Sequence, residues 1–585
     1  IARRQRQMCI RDRFITTLIY GYQVFAETSS ETMSCQRIKL FFLLKDPQGA
    51  LETCNSAIAQ FPQSLEIKKL YLQALSQSGH SLYALQLWED IKSELSDAKE
   101  RSRIQEYIAW GILSTGESSS QIAIKNFSLF NSFQTQDARV SEMILHALNS
   151  SNALERALAV KLAAKYGDTL LHQFIIKLLR TEKISFVRKE LIQAIGIGKI
   201  SEGQELLKNI LSMDIDPAEK YLAIHSLSLL CENLGSEEIM ALLEHPCASF
   251  RLLAIEIIDK LNLVELYPLL FVTLQDPSLE VKIAGLKTIG LCVSSKWSID
   301  QKNAITACCF DPNPFISLLA AWNCLLQEEG IGNNIFIEKM QSSNPSIRIF
   351  ASALLSFTGF KGLSLIISVF ESSKDPYIRA NLARGLISLR VHVKEASLVL
   401  LHFIRDTQTP IMWDKGQHVF FPMISPSNVA PSPLCYNLRS VIDGMTRLSL
   451  LNNLLVIDPI STIEIARNYL HNHFWGLSGN ASIMLMETGN GSYIDLVKNL
   501  LNDSDKKIRL QAALVLAFMH QDEESIKVLE ELYYTVKQNE KFYILEALGQ
   551  LSTKQSIPFL MKLLSEPFMG IRVTAASILI QSLYH

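Results

Sequence analysis

Asp276-Pro277-Ser278-Leu279-Glu280-Val281-Lys282-Ile283-Ala284 carries a pattern that returns along the chain at a nearly constant spacing. Its elements are a proline, an apolar residue with a basic one beside it, and then alanine. Asn344-Pro345-Ser346-Ile347-Arg348-Ile349-Phe350-Ala351 and Asp375-Pro376-Tyr377-Ile378-Arg379-Ala380 repeat it. The basic anchor falls at Arg156, Arg188, Lys220, Arg251 and Lys282, then at Arg348 and Arg379, and again at Arg509, Lys541 and Arg572. The steps are 32, 32, 31 and 31 in the first group, 31 in the second, and 32 and 31 in the third. The copy at Pro314-Phe315-Ile316-Ser317 has serine in the anchor position. Self-similarity at this period marks a solenoid, in which each unit buries its apolar face only against its neighbours. Such an array presents a long surface rather than one catalytic pocket.

Each copy is built to start a helix. Proline suits the first turn, where its missing N–H has no partner to lose, and the preceding Asp or Asn can cap that turn. Ala284, Ala351 and Ala512-Ala513 stand where neighbouring helices would cross. Gly196, Gly290, Gly359 and Gly549 read as left-handed caps that end the first helix. A second helix follows, richer in Leu and Ile, as at 269–274, 363–370 and 526–532. Over 151–405 and 438–585 the chain resembles HEAT repeats, in the short bacterial form first noted in phycobilisome lyases. The resemblance implies an all-α fold, an armadillo/HEAT-like α-solenoid that stacks helical hairpins into a superhelix. It also implies that the recurrent Arg lies between helices, bonded to an acid or to backbone carbonyls of an adjacent turn.

Residues 46–115 follow another period. Ala50, Cys54 and Ala57 recur as Ala84, Trp88 and Ile91, each at an offset of 34, and Pro62 follows Ala57 by five. This resembles a pair of degenerate tetratricopeptide units; a plain helical hairpin is the alternative. Residues 27–45 read as a linker or helix. Ser118-Ser119-Ser120 opens a helical joint over 116–150.

The segment 1–13 holds five arginines against one acid and resembles a translated adapter fragment, so it is set apart as non-native. The segment 14–26 is a short apolar run ending Val24-Phe25-Ala26, which suits a cleaved export signal or an ordinary buried helix. Cytoplasmic and exported locations both stay open. No run reaches the length of about 18 apolar residues that spans a bilayer. The ten cysteines form no Cys-x-x-Cys pair, so neither a disulfide framework nor a zinc site is expected. The net charge of −2 offers no basic field for nucleic acid. The last copy is unusually apolar, with Ile571, Val573, Ile578, Leu579, Ile580 and Leu583. That end is either truncated or docked on something.

One segment breaks the register. Residues 406–437 carry prolines at 410, 422, 426, 431 and 433, which no helix can absorb. Trp413, Phe420, Phe421 and Tyr436 lie in this insertion. They are candidate partner contacts if exposed; the alternative is that they fold back over a groove of the array. The copies between 406 and 480 cannot be placed from sequence beyond weak matches near Arg447 and Leu477.

Nothing in the chain spells a reaction. The only close histidine pair, His471 and His473, sits two apart, a spacing that does not share a helix face. No His-Glu dipeptide occurs, which argues against the di-iron hydroxylases built on HEAT-like repeats. No catalytic residue, cofactor or metal is expected. The reading is a non-enzymatic scaffold or adaptor that binds other proteins over a concave face formed by the second helices. The alternatives are a HEAT-like lyase of the bilin-lyase type and an exported, envelope-associated assembly protein.

Overall fold

The computed structural model describes residues 31–213, 216–230, 236–291, 297–414, 421–430, 437–520 and 522–584. The segments 1–13 and 14–26, and with them the export-signal reading, lie outside the described residues. Helices follow one another throughout, and the strands among the described residues are a single pair. The chain is an all-α solenoid of HEAT-like hairpins. It divides into two compact units, one of 163–535 and one joining 1–162 to 536–585.

From Ser185–Ile197 to Pro376–Ser388 the anchor helices stack directly on one another. Ser185–Ile197 packs on Pro217–Leu230, Leu279–Leu291 on Pro314–Leu326, and Pro345–Leu355 on Pro376–Ser388. The intervening helices, such as Thr169–Thr181, Leu363–Ser372 and Val393–Arg405, lean chiefly on these. Along this stretch the stacked row is the anchor-bearing one.

The anchor does two jobs. Arg251 Nη1 donates to the carbonyls of His245 and Pro246 at 2.7 and 2.9 Å, in the turn that precedes its own helix. Its Nε and Nη2 reach forward to the Asp276 carboxylate at 2.6 and 2.8 Å. Asp276 in turn accepts the N–H of Ser278 at 2.7 Å. One acid therefore holds the previous copy and fixes the turn just before the next helix, Leu279–Leu291. Burial pushes the Asp276 carboxyl up, but the hydrogen bonds from Arg251 and Ser278 outweigh it and hold the group below its ordinary range. Arg348 repeats the arrangement with the Ser342 and Ser343 carbonyls at 2.7 and 3.2 Å and Asp375 at 3.6 Å. Asp375 caps the next helix through Tyr377 N and Ile378 N. Arg188 pairs with Glu219 at 3.0 Å, and Lys282 with Asp311 at 3.5 Å. Where serine replaces arginine, Ser317 Oγ donates to the Cys309 carbonyl, eight positions back, at 2.8 Å.

These bonds supply the missing register. Ser478 Oγ donates to the Leu470 carbonyl, also eight back, at 2.6 Å. Ser478 is therefore an anchor copy of the serine kind. Arg447, fully buried, donates to the carbonyls of Phe403 and Ile404 at 3.0 and 2.8 Å. Those acceptors lie at offsets of 44 and 43, where Arg251 uses offsets of 6 and 5. The difference is extra chain inserted into one turn of the array. Arg379 and Arg447 belong to consecutive copies, with no decayed repeat among the described residues between them.

Three of the four glycines read as caps have another use. Gly359 alone among them has a positive φ, +63°. A Cβ at Gly196 would stand 2.7 Å from the Ser226 backbone, and one at Gly290 would stand 2.1 Å from the Trp322 ring. These two glycines let neighbouring anchor helices approach closely. Gly549 faces Ile578, whose side chain would lie 3.2 Å from an added Cβ.

In the other unit, Ala50, Cys54, Ala57, Ala84, Trp88 and Ile91 are all buried, between the helices Pro47–Gln60, Leu65–Gln77, Ser81–Ile91 and Ala98–Glu117. The apolar last helix, Met569–Tyr584, docks on Ala98–Glu117 and Ile122–Gln134. Ser577 Oγ donates to the Asn131 carbonyl at 2.7 Å, Gln581 Nε2 to Gln134 O at 3.0 Å, and Tyr584 OH to Glu106 at 2.5 Å. The apolar end has its cover within the same chain.

Two variants probe these links. Arg447→Ala leaves buried carbonyls and Asp443 without their partner and should cost about 3–5 kcal/mol locally. Hydrogen exchange should then quicken in Val393–Arg405 and Leu438–Leu454 while Met569–Tyr584 stays protected. Removing 569–585 should uncover the apolar face of 98–134, read as raised dye binding and new protease cuts within that stretch.

Candidate functional site

The insertion before Arg447 is not structureless. Its described part forms an antiparallel ribbon of β1, Ile411–Asp414, and β2, Met423–Pro426, in which Trp413 pairs with Ile424. The base of the ribbon is fixed by the anchor. Asp443, one turn before Arg447, accepts two bonds from that guanidinium at 2.9 Å and the N–H of Ile411 at 2.8 Å. Arg447 Nη2 donates to the Thr409 carbonyl at 3.0 Å. The anchor position of this copy thus holds both the array and the ribbon.

The ribbon lies on the anchor-helix row. β2 packs on Pro345–Leu355 and Pro376–Ser388, and β1 on Leu438–Leu454. A lone two-stranded ribbon leaves strand edges unpaired. Here Asn381, fully buried, closes one edge: its Nδ2 donates to the Ile424 carbonyl at 3.1 Å, and its Oδ1 accepts the Ile424 N–H at 2.9 Å. One side-chain amide stands in for a residue of a third strand. One turn on, Arg384 donates to the Pro422 carbonyl at 3.2 Å, and its guanidinium lies 4.5 Å from the Trp413 ring centre. Burial pushes Arg384 down to about 10, so it remains a cation at neutral pH.

Of the four aromatic candidates, the structure describes two. Phe421 is 4% exposed. Its ring meets Trp322 edge-on at 5.3 Å and Phe357 at 5.5 Å, with Lys287 Nζ 5.9 Å from its centre. Trp413 is half-buried beside Arg384. Phe420 and Tyr436 lie outside the described residues. The partners Asn381, Arg384, Trp322 and Phe357 are not among the sequence candidates. They sit two, five or nine positions after an anchor, a regularity visible only once the repeat register is known.

Elsewhere, His471 pairs with Asp503 at 2.9 Å while His473 rests against Phe474; the two histidines serve different neighbours. Among the described residues, no three His, Cys, Asp or Glu side chains gather as metal ligands would. No described helix is long and apolar enough to cross a membrane. The unit of 1–162 and 536–585 carries a separate open groove of about 720 Å³, lined by Leu85, Trp88, Lys92, Arg101, Pro558 and Met561 among others.

No family model matches the chain, and no curated protein matches it. Among solved structures, the CpcE–CpcF complex of phycocyanin lyase from Nostoc sp. PCC7120 overlays on 50% of this chain and 92% of its own, at 11% identity and a TM-score of 0.19. The myosin chaperone UNC-45 from C. elegans covers 90% of this chain and 73% of its own, at 13% identity and 0.30. The Kap95:Nup1 complex covers 97% and 79%, at 12% identity and 0.33. Likeness at this level carries no argument about function. The chain is a HEAT-like α-solenoid by its own helix order and anchors.

The two described aromatics should behave differently when cut back. Phe421→Ala empties a packed site and should cost about 3–5 kcal/mol. Trp413→Ala removes a half-open ring and a cation–π contact and should cost about 1 kcal/mol. Denaturant midpoints of the two variants test the difference.

Proposed function

We propose that this chain is a non-enzymatic scaffold that binds other proteins along the anchor-helix row of its 163–535 unit. The observation that carries the reading is a recurrent exposed apolar side chain. Nine positions after the anchor stand Ile197, Leu229, Leu291, Val456 and Phe518, with exposures of 57, 41, 54, 92 and 42%, while Phe357, at the same place, packs on Phe421 of the ribbon. A single exposed leucine needs no explanation, but the same place filled repeatedly along one row does. The anchors Arg188, Arg251, Lys282, Arg348 and Arg447 are used inside the array and offer no ladder of charge to a small ligand. The apolar positions are what the row offers outward. Trp413, at the margin of the ribbon on that row, adds contact area to the same surface.

The test is affinity capture from native cells with the full chain. The comparison chain carries Ile197→Asp, Leu229→Asp, Leu291→Asp, Val456→Asp and Phe518→Asp together, all on exposed side chains. A saturable protein partner bound by the first chain and lost by the second supports the scaffold. Equal capture by both would remove the row as the binding surface. A small molecule carried by both, with no protein, would turn the reading toward an enzyme.

A further inference from the structure

The ribbon shows how the anchor-helix row holds a polypeptide. Phe421 sits between Trp322 and Phe357, side chains of the copies anchored at Ser317 and Arg348. Three positions later, Ile424 is clamped by Asn381, of the copy anchored at Arg379. The bound segment therefore advances along the array as its own sequence advances. The dimensions agree. Packed helices stand about 8–10 Å apart, and three residues of extended chain span about 10 Å. A helix would need about seven residues, at roughly 1.5 Å each, for the same step.

The face continues beyond the ribbon. Lys287 touches the Phe421 ring from the copy anchored at Lys282, and Leu291, one turn further along that helix, is open. Past it, at the same repeat position, stand Leu229 and Ile197, with Lys260 between Leu291 and Leu229, paired with Glu256 of its own helix at 2.5 Å. The covered and open stretches belong to one row of successive anchor helices, each touching the next.

We infer that the open stretch from Leu291 to Ile197 receives an extended segment of another protein, one that carries apolar or aromatic side chains and advances about three residues for each copy of the array. The segment continues the path that residues 421–424 take on the covered stretch. This inference rests on the scaffold reading and narrows it to one part of the row and one kind of partner. Backbone polar groups of such a segment need donors and acceptors between the apolar sites. Polar side chains on this stretch, His225 and Glu256, stand five positions after their anchors, the place that Arg384 occupies when it donates to the Pro422 carbonyl.

The probe is a random dodecamer library displayed on phage and panned against the full chain, followed by fluorescence anisotropy of the selected peptides made synthetically. The expected peptides carry apolar or aromatic residues without the i, i+3, i+4 spacing of a helix. They should lose at least tenfold in affinity on Leu229→Asp and on Ile197→Asp, and keep it on Val456→Asp, which lies on the same row beyond the ribbon. Melting curves of the three variants should match the native chain, since the changed side chains are exposed. Peptides with helical spacing, binding that survives both substitutions, or no enrichment would each overturn the inference. Capture of a native partner that is lost with the five-fold variant but kept by Leu229→Asp would overturn it as well while leaving the scaffold reading standing.

Discussion

The array depends on a guanidinium placed between two turns. A HEAT-like hairpin has no sheet to fix its neighbours, only side chains on crossing helices. Arg251 ties the carbonyls before its own helix to Asp276, in the turn ahead of the next anchor helix, and Arg348 ties its own to Asp375, which caps the next. The charge is held by bonds of the charge-assisted kind, stronger than neutral ones. Where the acid is also a helix cap, as Asp375 is, the spacing of copies and the starting point of the helix are set together. Serine at 317 and 478 keeps only the backward half of this link, so those two copies lean more on packing, with Trp322 seated against Gly290 in the first.

Arg447 shows how tolerant such a link is. Its backward bonds reach across the whole insertion without a change of acceptors. Long insertions at a surface turn carry only a slowly growing entropic cost, and this one is held at both ends. Thr409 and Ile411 are tied to Arg447 and Asp443, and Ile424 to Asn381. The inserted ribbon thereby covers a stretch of anchor helices whose equivalents elsewhere stay open.

Much of the fold is legible in the sequence because it rests on local rules. Asp375-Pro376 announces a capped helix wherever it stands, and a basic residue four positions after the acid can be counted by eye. What escapes is whatever depends on a neighbour in space. Ser478 looks like any serine until its bond to Leu470 is seen. Gly196 and Gly290 carry no mark that separates a cap from a close approach; only Ser226 and Trp322 across the interface decide it. Of the candidate site, the sequence points to the inserted segment and its aromatics. It cannot say that Phe421 turns inward, because the ring's destination is made by Trp322 and Phe357, far away along the chain. Asn381 is invisible for the same reason. Its role comes from meeting a strand edge, not from its own surroundings in the chain.

The docking of Met569–Tyr584 on Ala98–Glu117 and Ile122–Gln134 makes the stretch 163–535 an insertion within another folded body. Both of its chain connections lead into one unit, so neither of its boundary copies is a chain terminus. If that stretch were to unfold while the other unit held, its two ends would stay tethered, and the loosened chain would be a loop rather than a free tail. A loop has fewer conformations to gain than an open chain of equal length, which is how a covalent cross-link favours a fold. The tether here is non-covalent, and Ser577, Gln581 and Tyr584 supply its polar part. Those three side chains thus act on copies they never touch, by limiting the disorder that the array can reach.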